Sequence, residues 1–544
     1  MKKTNSSWMK WVMGGWLTAL VVLGTLSVFG DNVKRLTGAS ADALSGEEQV
    51  TPRTRTFHMG GVDSKKSLMN FGERNNAEYG GAGYAPAPVQ AAAAPNQLVT
   101  ADHDALSTFA IGVDTASYTY ARRQLQGGLR VEPSTVRVEE WVNAFRYHLE
   151  APKDAPWAIH AEGAPSPFTA GRTLLKVSLQ GRRFSNTERK PANLVFLVDT
   201  SCSMAGPDRM GLARKAMHTM VDGLDERDTV AIATYAGEST LRLRATNADE
   251  KAVIHHVIDG LSNGGGTAME SGMVLAYREA VKRVRPGVES RVLVFTDGDA
   301  NIGATGSGDI LSSVQGYVRD GVTLTTVGFG MGNYRDNALE QLADKGNGQS
   351  LYIDGAAELE RVFGQSNLPS LLQVISKDVK VQVAFDERVV RRYRLLGYEN
   401  RDVRDEDFRN DAVDGGELHA GHTVTALYEL ELTGNVGALG TISVRGKQPA
   451  NEQAFELSTR VPQSVLARSV NEATADFRFA TAVAMAADVL RGNANAGVSL
   501  REAKALAETA ASDWPERREF VSLLNRALSG EAPVNAASAS NYQY

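Results

Sequence analysis

The sequence predicts an α/β fold, a Rossmann-like, doubly wound and mainly parallel sheet, with flanking β-rich and C-terminal helical regions. Three observations predict it. Two apolar runs of strand length, Asn193-Leu194-Val195-Phe196-Leu197-Val198 and Arg291-Val292-Leu293-Val294-Phe295, read as strands buried on both faces. Runs of this kind alternate with segments of helical spacing from about 193 to 363. Both runs lead into a carboxylate, Asp199 and Asp297, at the carboxyl edge where open sheets of this class bind ligands.

With 544 residues the chain has room for several domains, and 42% hydrophobic and 22% charged residues are ordinary for a globular protein. A net charge of -6 without a basic cluster argues against a nucleic-acid partner. A single cysteine, Cys202, excludes an internal disulfide and leaves none near the N-terminus to acylate. Lys2, Lys3 and Lys10 precede an uncharged apolar run over 11–29, and Trp8, Trp11 and Trp16 suit an interfacial belt. Residues 1–30 therefore read as a membrane anchor or signal segment. The preferred reading is a retained single pass through the cell inner membrane, with the body in the periplasm. Cleavage near Val28-Phe29-Gly30, giving a secreted or periplasmic body, is the alternative.

Residues 31–98 are rich in Gly, Ala and Pro, as in Tyr79-Gly80-Gly81-Ala82-Gly83-Tyr84, and read as a flexible linker. Residues 99–190 form an N-terminal flanking domain, with a strand over 109–114, a helix over 117–125, helical spacing over 136–145, and short strands near 158–162 and 174–179. In the central domain, 191–365, strands are predicted over 193–199, 228–235, 240–245, 291–297, 323–328 and 350–353. Helices are predicted between them over 209–224, 249–261, 268–284, 309–319, 337–345 and 356–363. Residues 366–530 switch to alternating strands, 379–385 and 423–432, then to helices over 471–490, 499–511 and 515–528. The small, polar stretch 531–544 reads as a disordered tail.

Asp199-Thr200-Ser201-Cys202-Ser203 sets a carboxylate and two hydroxyls at alternate positions just past a buried strand. Gly264-Gly265-Gly266-Thr267 opens the helix over 268–284, and Asp297 ends the second buried run. Oxygen donors from three loops at one sheet edge suit Mg²⁺, Mn²⁺ or Ca²⁺. Each residue has a plainer reading: Ser201 and Ser203 as turn residues, Thr267 as a helix cap with Glu270 at capping-box spacing, Asp297-Gly298 as a turn. All would have to coincide at one edge by accident.

Asp199, Ser201, Ser203, Thr267 and Asp297 together resemble the metal-ion-dependent adhesion site (MIDAS) of the von Willebrand factor type A domain. The flanking segments Ser107-Thr108-Phe109-Ala110-Ile111-Gly112-Val113-Asp114, Val136-Arg137-Val138-Glu139-Glu140 and Gly421-His422-Thr423-Val424-Thr425-Ala426-Leu427-Tyr428 resemble a bacterial envelope group of such proteins. The resemblance implies that Ser201, Ser203 and Thr267 ligate the metal through hydroxyls while Asp199 and Asp297 act through water. An open coordination position would then accept an acidic side chain from a protein partner. It also suggests that strands before and after the central domain pair into one β-sandwich, with the metal face pointing away from it.

Other residues are assigned lesser roles. Asp299 reads as a solvated loop carboxylate, Asp114 as a strand-end turn, Cys202 as a small buried side chain, and Tyr235-Ala236-Gly237 as lining beside the metal loops. His255-His256 reads as a solvated or packed pair without acids at ligand spacing. No Ser-His-Asp order, Gly-x-x-x-x-Gly-Lys loop or general base attends the metal loops. The expected function is therefore non-enzymatic: a membrane-tethered envelope protein that binds a protein partner through a divalent cation. The alternative is a structural or assembly factor for a membrane complex, with a metal-dependent hydrolase as a weak third option.

Overall fold

The computed structural model describes residues 94–112, 114–266, 269–298, 316–330, 336–493, 497–511 and 514–529. The expected anchor, nearly all of the linker, the C-terminal tail and most of the helix expected over 309–319 lie outside these residues. In chain order the first segment forms β1 (Val99–Thr100), β2 (Leu106–Ala110), α1 (Ala116–Gln126), α2 (Val138–Asn143), β3 (Trp157–Pro165) and β4 (Thr173–Gly181). The central segment forms β5 (Ala192–Asp199), α3 (Met210–Gly223), β6 (Thr229–Tyr235), β7 (Ser239–Asn247), α4 (Lys251–Asp259) and α5 (Met269–Val281). It continues with β8 (Glu289–Thr296), β9 (Val322–Phe329), α6 (Asp336–Lys345), β10 (Gln349–Ile353) and α7 (Ala356–Phe363). After it come α8 (Leu368–Leu372), β11 (Val374–Phe385), β12 (Val390–Leu396), β13 (Gly416–His419), β14 (Thr423–Leu432), β15 (Ala438–Lys447) and β16 (Ala454–Pro462). Helices α9 (Ala475–Leu490), α10 (Leu500–Glu508) and α11 (Pro515–Ser529) follow.

The central sheet runs β10-β9-β8-β5-β6-β7. Every neighbouring pair is parallel except β6 with β7. β5 sits inside this order and all its residues are buried, which is why its sequence is a continuous apolar run rather than an alternating one. Leu194, Phe196 and Val198 pack with Ala213, Met217 and Met220 of α3 and Ile254 and Ile258 of α4. Val195 and Leu197 face the other way, onto Met273, Ala276 and Tyr277 of α5. At the amino edge, Arg189 and Asp228, both fully buried, form a two-bond ion pair at 2.5 and 2.8 Å, and Asp228 also accepts from Ala192 N.

The strands outside the central domain form two further sheets, each drawing on both ends of the chain. One runs β1-β12-β14-β4-β3, with β4 antiparallel to β14 from Thr173↔Leu430 to Gln180↔Thr423. The other runs β13-β11-β15-β16, with β2 added to β11. Leu175, Val177 and Leu179 of β4 share a core with Val381 and Val383 of β11 and Ile442 and Val444 of β15, so the two sheets pack face to face. The expected pairing of strands across the central domain is what the structure shows.

The outer face of the first sheet carries a helical layer, again built from both ends of the chain. Leu174, Leu396 and Leu427 of that sheet pack with Tyr118 of α1, Trp141 of α2, Phe477 and Phe479 of α9 and Phe520 of α11. The helix expected from 471 begins at Ala475 because the Thr474 hydroxyl accepts from Phe477 N at 3.1 Å and fixes the start. Ser499 and Glu502 form a capping box at the start of α10. Strands β12, β13, β15 and β16 extend the expected set: Arg391, Arg392 and Arg394 interrupt the alternation in β12, and β16 is mostly exposed.

Helix α1 reaches the central domain at the β10 side of its sheet. Arg122 pairs with Asp354 and Glu358, and Arg123 Nη2 lies 3.0 Å from Asp208 Oδ2, in the loop after Ser203. The carboxyl edge is therefore in contact with the flanking layers rather than turned away from them. Asp114 is a clamp in this junction: its carboxylate accepts from Ser350 N at 3.2 Å and pairs with Arg401 at 2.6 Å.

Glu139 of α2 is 7% exposed, and among the described residues its Oε2 has no hydrogen-bond partner of standard geometry. Burial first, then the charges of Glu140 and Glu399, push its carboxyl up to about 7. A carboxyl raised above its unfolded value of 4.5 favours folding fully below that value, and the contribution is lost as pH rises through 7. Glu139→Gln is therefore expected to gain stability relative to the natural chain between pH 5 and pH 8, by up to about 3 kcal/mol. Urea unfolding midpoints of both proteins across that range check this; a pH-independent difference would contradict it.

Candidate metal centre

Asp199 is the last residue of β5 and is fully buried. Its Oδ1 accepts from Ser201 N at 2.9 Å and its Oδ2 from the Thr296 hydroxyl at 3.1 Å. These bonds turn the chain sharply after the strand. Ser201 Oγ lies 2.9 Å from Ser203 Oγ, which donates to Asp297 Oδ1 at 3.3 Å. Two carboxylates and two hydroxyls from the ends of adjacent parallel strands thus form one continuous oxygen cluster.

The glycine loop docks onto this turn. Gly264 N donates to Thr200 O at 2.7 Å and Asn263 Nδ2 to Ser201 O at 3.1 Å. Gly265 has φ +91, and a Cβ there would stand 3.0 Å from Gly237 N, so glycine is required for the approach. That contact places Ala236-Gly237 beside the loop. Tyr235 is buried within the core under α5, and burial, then the Asp199 charge, hold its hydroxyl well above the usual tyrosine range. Thr267 and Asp299 lie outside the described residues.

Burial raises the Asp199 carboxyl, and the charge of Asp297 adds to this against the hydrogen bonds from Ser201 and Thr296. A cation between the carboxylates would relieve both effects. The cluster offers hard oxygen atoms only, the donor chemistry of Mg²⁺, Mn²⁺ and Ca²⁺. The residues present therefore fit such an ion. Among the described residues no group of three or more His, Cys, Asp or Glu side chains is placed to ligate one metal ion together.

Two details depart from the sequence reading. Cys202 is exposed: it opens the short turn Cys202–Met204, whose buried residue is Met204 at the other end. Arg209 stands beside the cluster: Nη1 donates to Ser203 O and lies 3.7 Å from Asp297 Oδ2. Its stem crosses Gly330, where a Cβ would come within 2.8 Å of Arg209 Cγ. The signal available in sequence was only a cation shortly after the motif.

The fold is that of a von Willebrand factor type A protein: the model of that domain matches residues 193–365, and one described as von Willebrand factor matches 90–176. The model described as "Uncharacterized protein YfbK, C-terminal" matches 370–439 and 433–529. The chain is similar to the uncharacterized protein YfbK of Escherichia coli, 36% identical over 453 residues and covering 78% of each chain. This chain belongs to the YfbK family of von Willebrand factor type A proteins. It is also similar to human inter-alpha-trypsin inhibitor heavy chain H4, 27% identical over 34% of this chain and 21% of that one. A solved von Willebrand factor type A protein from Catenulispora acidiphila covers 70% of this chain and 91% of its own, at TM-score 0.42 and 17% identity.

The Arg209 guanidinium would stand near a dication bound by the cluster and repel it. Arg209→Gln is expected to tighten Mg²⁺ binding by about 1 kcal/mol, roughly fivefold, in calorimetric titration. Weaker binding would instead assign the guanidinium to holding the loop through Ser203 O.

Proposed function

We propose that this chain binds a protein partner through a divalent cation, Mg²⁺ or Mn²⁺ or Ca²⁺, held by Asp199, Ser201, Ser203, Thr267 and Asp297. The observation that carries the reading is the run of oxygens from Ser201 through Ser203 to Asp297, backed by buried Asp199. The ion, when bound, supplies an electrophilic position that a partner's Asp or Glu can fill. The chain's own part is orientation. Asp199 fixes the Ser201 backbone, Thr296 fixes Asp199, and the glycine loop closes the side of the cluster. A carboxylate meeting a cation at this partly dehydrated edge gains far more than it would in open water.

Binding rather than turnover is the role the donor set supports. The hydroxyls of Ser201 and Ser203 are neutral, so a bound ion would keep net positive charge to draw a partner's carboxylate. The apolar run over 11–29 and the linker after it support a body tethered outside the inner membrane, in the periplasm. Among the described residues no helix is long and apolar enough to cross a membrane, and the apolar run lies outside them.

Titration of Mg²⁺ and Mn²⁺ into the full-length chain, beside a Ser201→Ala/Ser203→Ala variant, tests the proposal. Saturable binding lost in the variant, with EDTA-sensitive capture of an acidic partner, is the expected result. Binding equal in both proteins would overturn the assigned ligands. Partner capture that survives EDTA and Asp199→Ala would move the function to the flanking layers.

A further inference from the structure

Helices α3 and α4 lie on the same face of the central sheet, and each carries the same short pattern. It is His218-x-x-x-Asp222 on α3 and His255-x-x-x-Asp259 on α4. A step of four residues returns to one helix face. The four side chains meet crosswise. His218 Nε2 lies 2.9 Å from Asp259 Oδ1, and His255 Nε2 lies 2.9 Å from Asp222 Oδ1. The two remaining nitrogens, His218 Nδ1 and His255 Nδ1, face each other at 2.5 Å. The acid that meets His255 thus comes from the neighbouring helix, while Asp259 of its own helix meets His218.

Tautomer logic gives this arrangement its meaning. A neutral imidazole has one N–H and one lone pair, and an ionised carboxylate can only accept. A carboxylate at Nε2 therefore keeps the proton on that nitrogen and leaves the lone pair on Nδ1. Applied to both rings, this points two lone pairs at each other across a contact distance. They repel unless a positive centre lies between them, and the candidates are a shared proton and a metal ion.

We propose that His218 and His255 form a second cation site, for a transition metal of the zinc class, with Asp259 and Asp222 orienting the two rings. Imidazole suits Zn²⁺, Cu²⁺ and Ni²⁺, whereas Mg²⁺ and Ca²⁺ prefer oxygen. The site is thus chemically distinct from the oxygen cluster at the sheet edge. With metal–nitrogen bonds near 2.0–2.1 Å, tetrahedral ligands stand about 3.3 Å apart, so the rings must part by a little under ~1 Å. The two side chains are 28% and 24% exposed, which leaves room for that movement and for water to complete the coordination. The neighbouring cations are engaged elsewhere: Lys251 donates to Asp222 O and Arg214 to Leu261 O. A metal here would fasten α3, the helix that follows the Ser203 loop, to α4.

The test uses the untagged full-length chain, stripped of metal and held in excess Mg²⁺ to occupy the oxygen cluster. Zn²⁺ is titrated against a chromophoric chelator, and Co²⁺ is followed by its visible absorption. One saturable equivalent is expected, unchanged in Ser201→Ala/Ser203→Ala and abolished in His218→Ala/His255→Ala. Asp222→Asn/Asp259→Asn is expected to bind roughly 10–100-fold more weakly. Absence of saturable binding in the natural chain would overturn the proposal and leave the shared proton between the rings. Undiminished binding in the double histidine variant would overturn it as well. Should that variant fail to fold by circular dichroism, the aspartate pair decides, since it keeps both ligands; unchanged affinity there sinks the assignment.

Discussion

The antiparallel pairing of Thr173–Gly181 with Thr423–Leu432 is the contact on which the architecture depends. It joins the chain just before the central domain to the chain well after it, and so fixes both ends of that domain in one sandwich. The pairing of Leu106–Ala110 with Val374–Phe385 repeats the device in the second sheet, and the outer helices repeat it again. Without these contacts neither flanking segment has a face to bury, since each supplies only part of a core.

Fixing the ends leaves the carboxyl edge of the central sheet as the place where irregular backbone is needed. Asp199 shows the constraint at its sharpest. A buried carboxylate carries a desolvation penalty that hydrogen bonds from Ser201 N and Thr296 only partly offset. Arg209 lies on one side of the cluster, and the Arg123–Asp208 pair ties the loop after it to the flanking helix α1. A change in how α1 sits would therefore be felt five residues from Ser203.

The parts of the fold written in a single segment were legible. β14 and α7 have the bounds their periodicity predicts, and the buried strands β5 and β8 declared themselves by unbroken apolar runs. Four of the five expected site residues come to one edge, while Thr267 lies outside the described residues. What was not legible depends on partners distant in sequence. Arg391, Arg392 and Arg394 hide β12, although Glu429 and Glu431 on β14 receive all three. His255 looked isolated because its partner histidine sits on another helix, and the exposure of Cys202 follows from a three-residue turn that no periodicity marks.

The β4–β14 pairing also sets a timetable. β4 is an almost wholly buried strand in the finished protein, and its partner begins at Thr423. At synthesis rates of about 5–20 residues per second, that partner emerges roughly 12–50 s after β4 itself. The central domain, whose own strands are contiguous in sequence, has time to fold in that interval, while Leu174-Leu175 and Val177 have only β3 beside them. The nascent chain thus carries one unpaired, sticky strand edge for nearly half of its manufacture, and a holding factor at that stage would guard this edge.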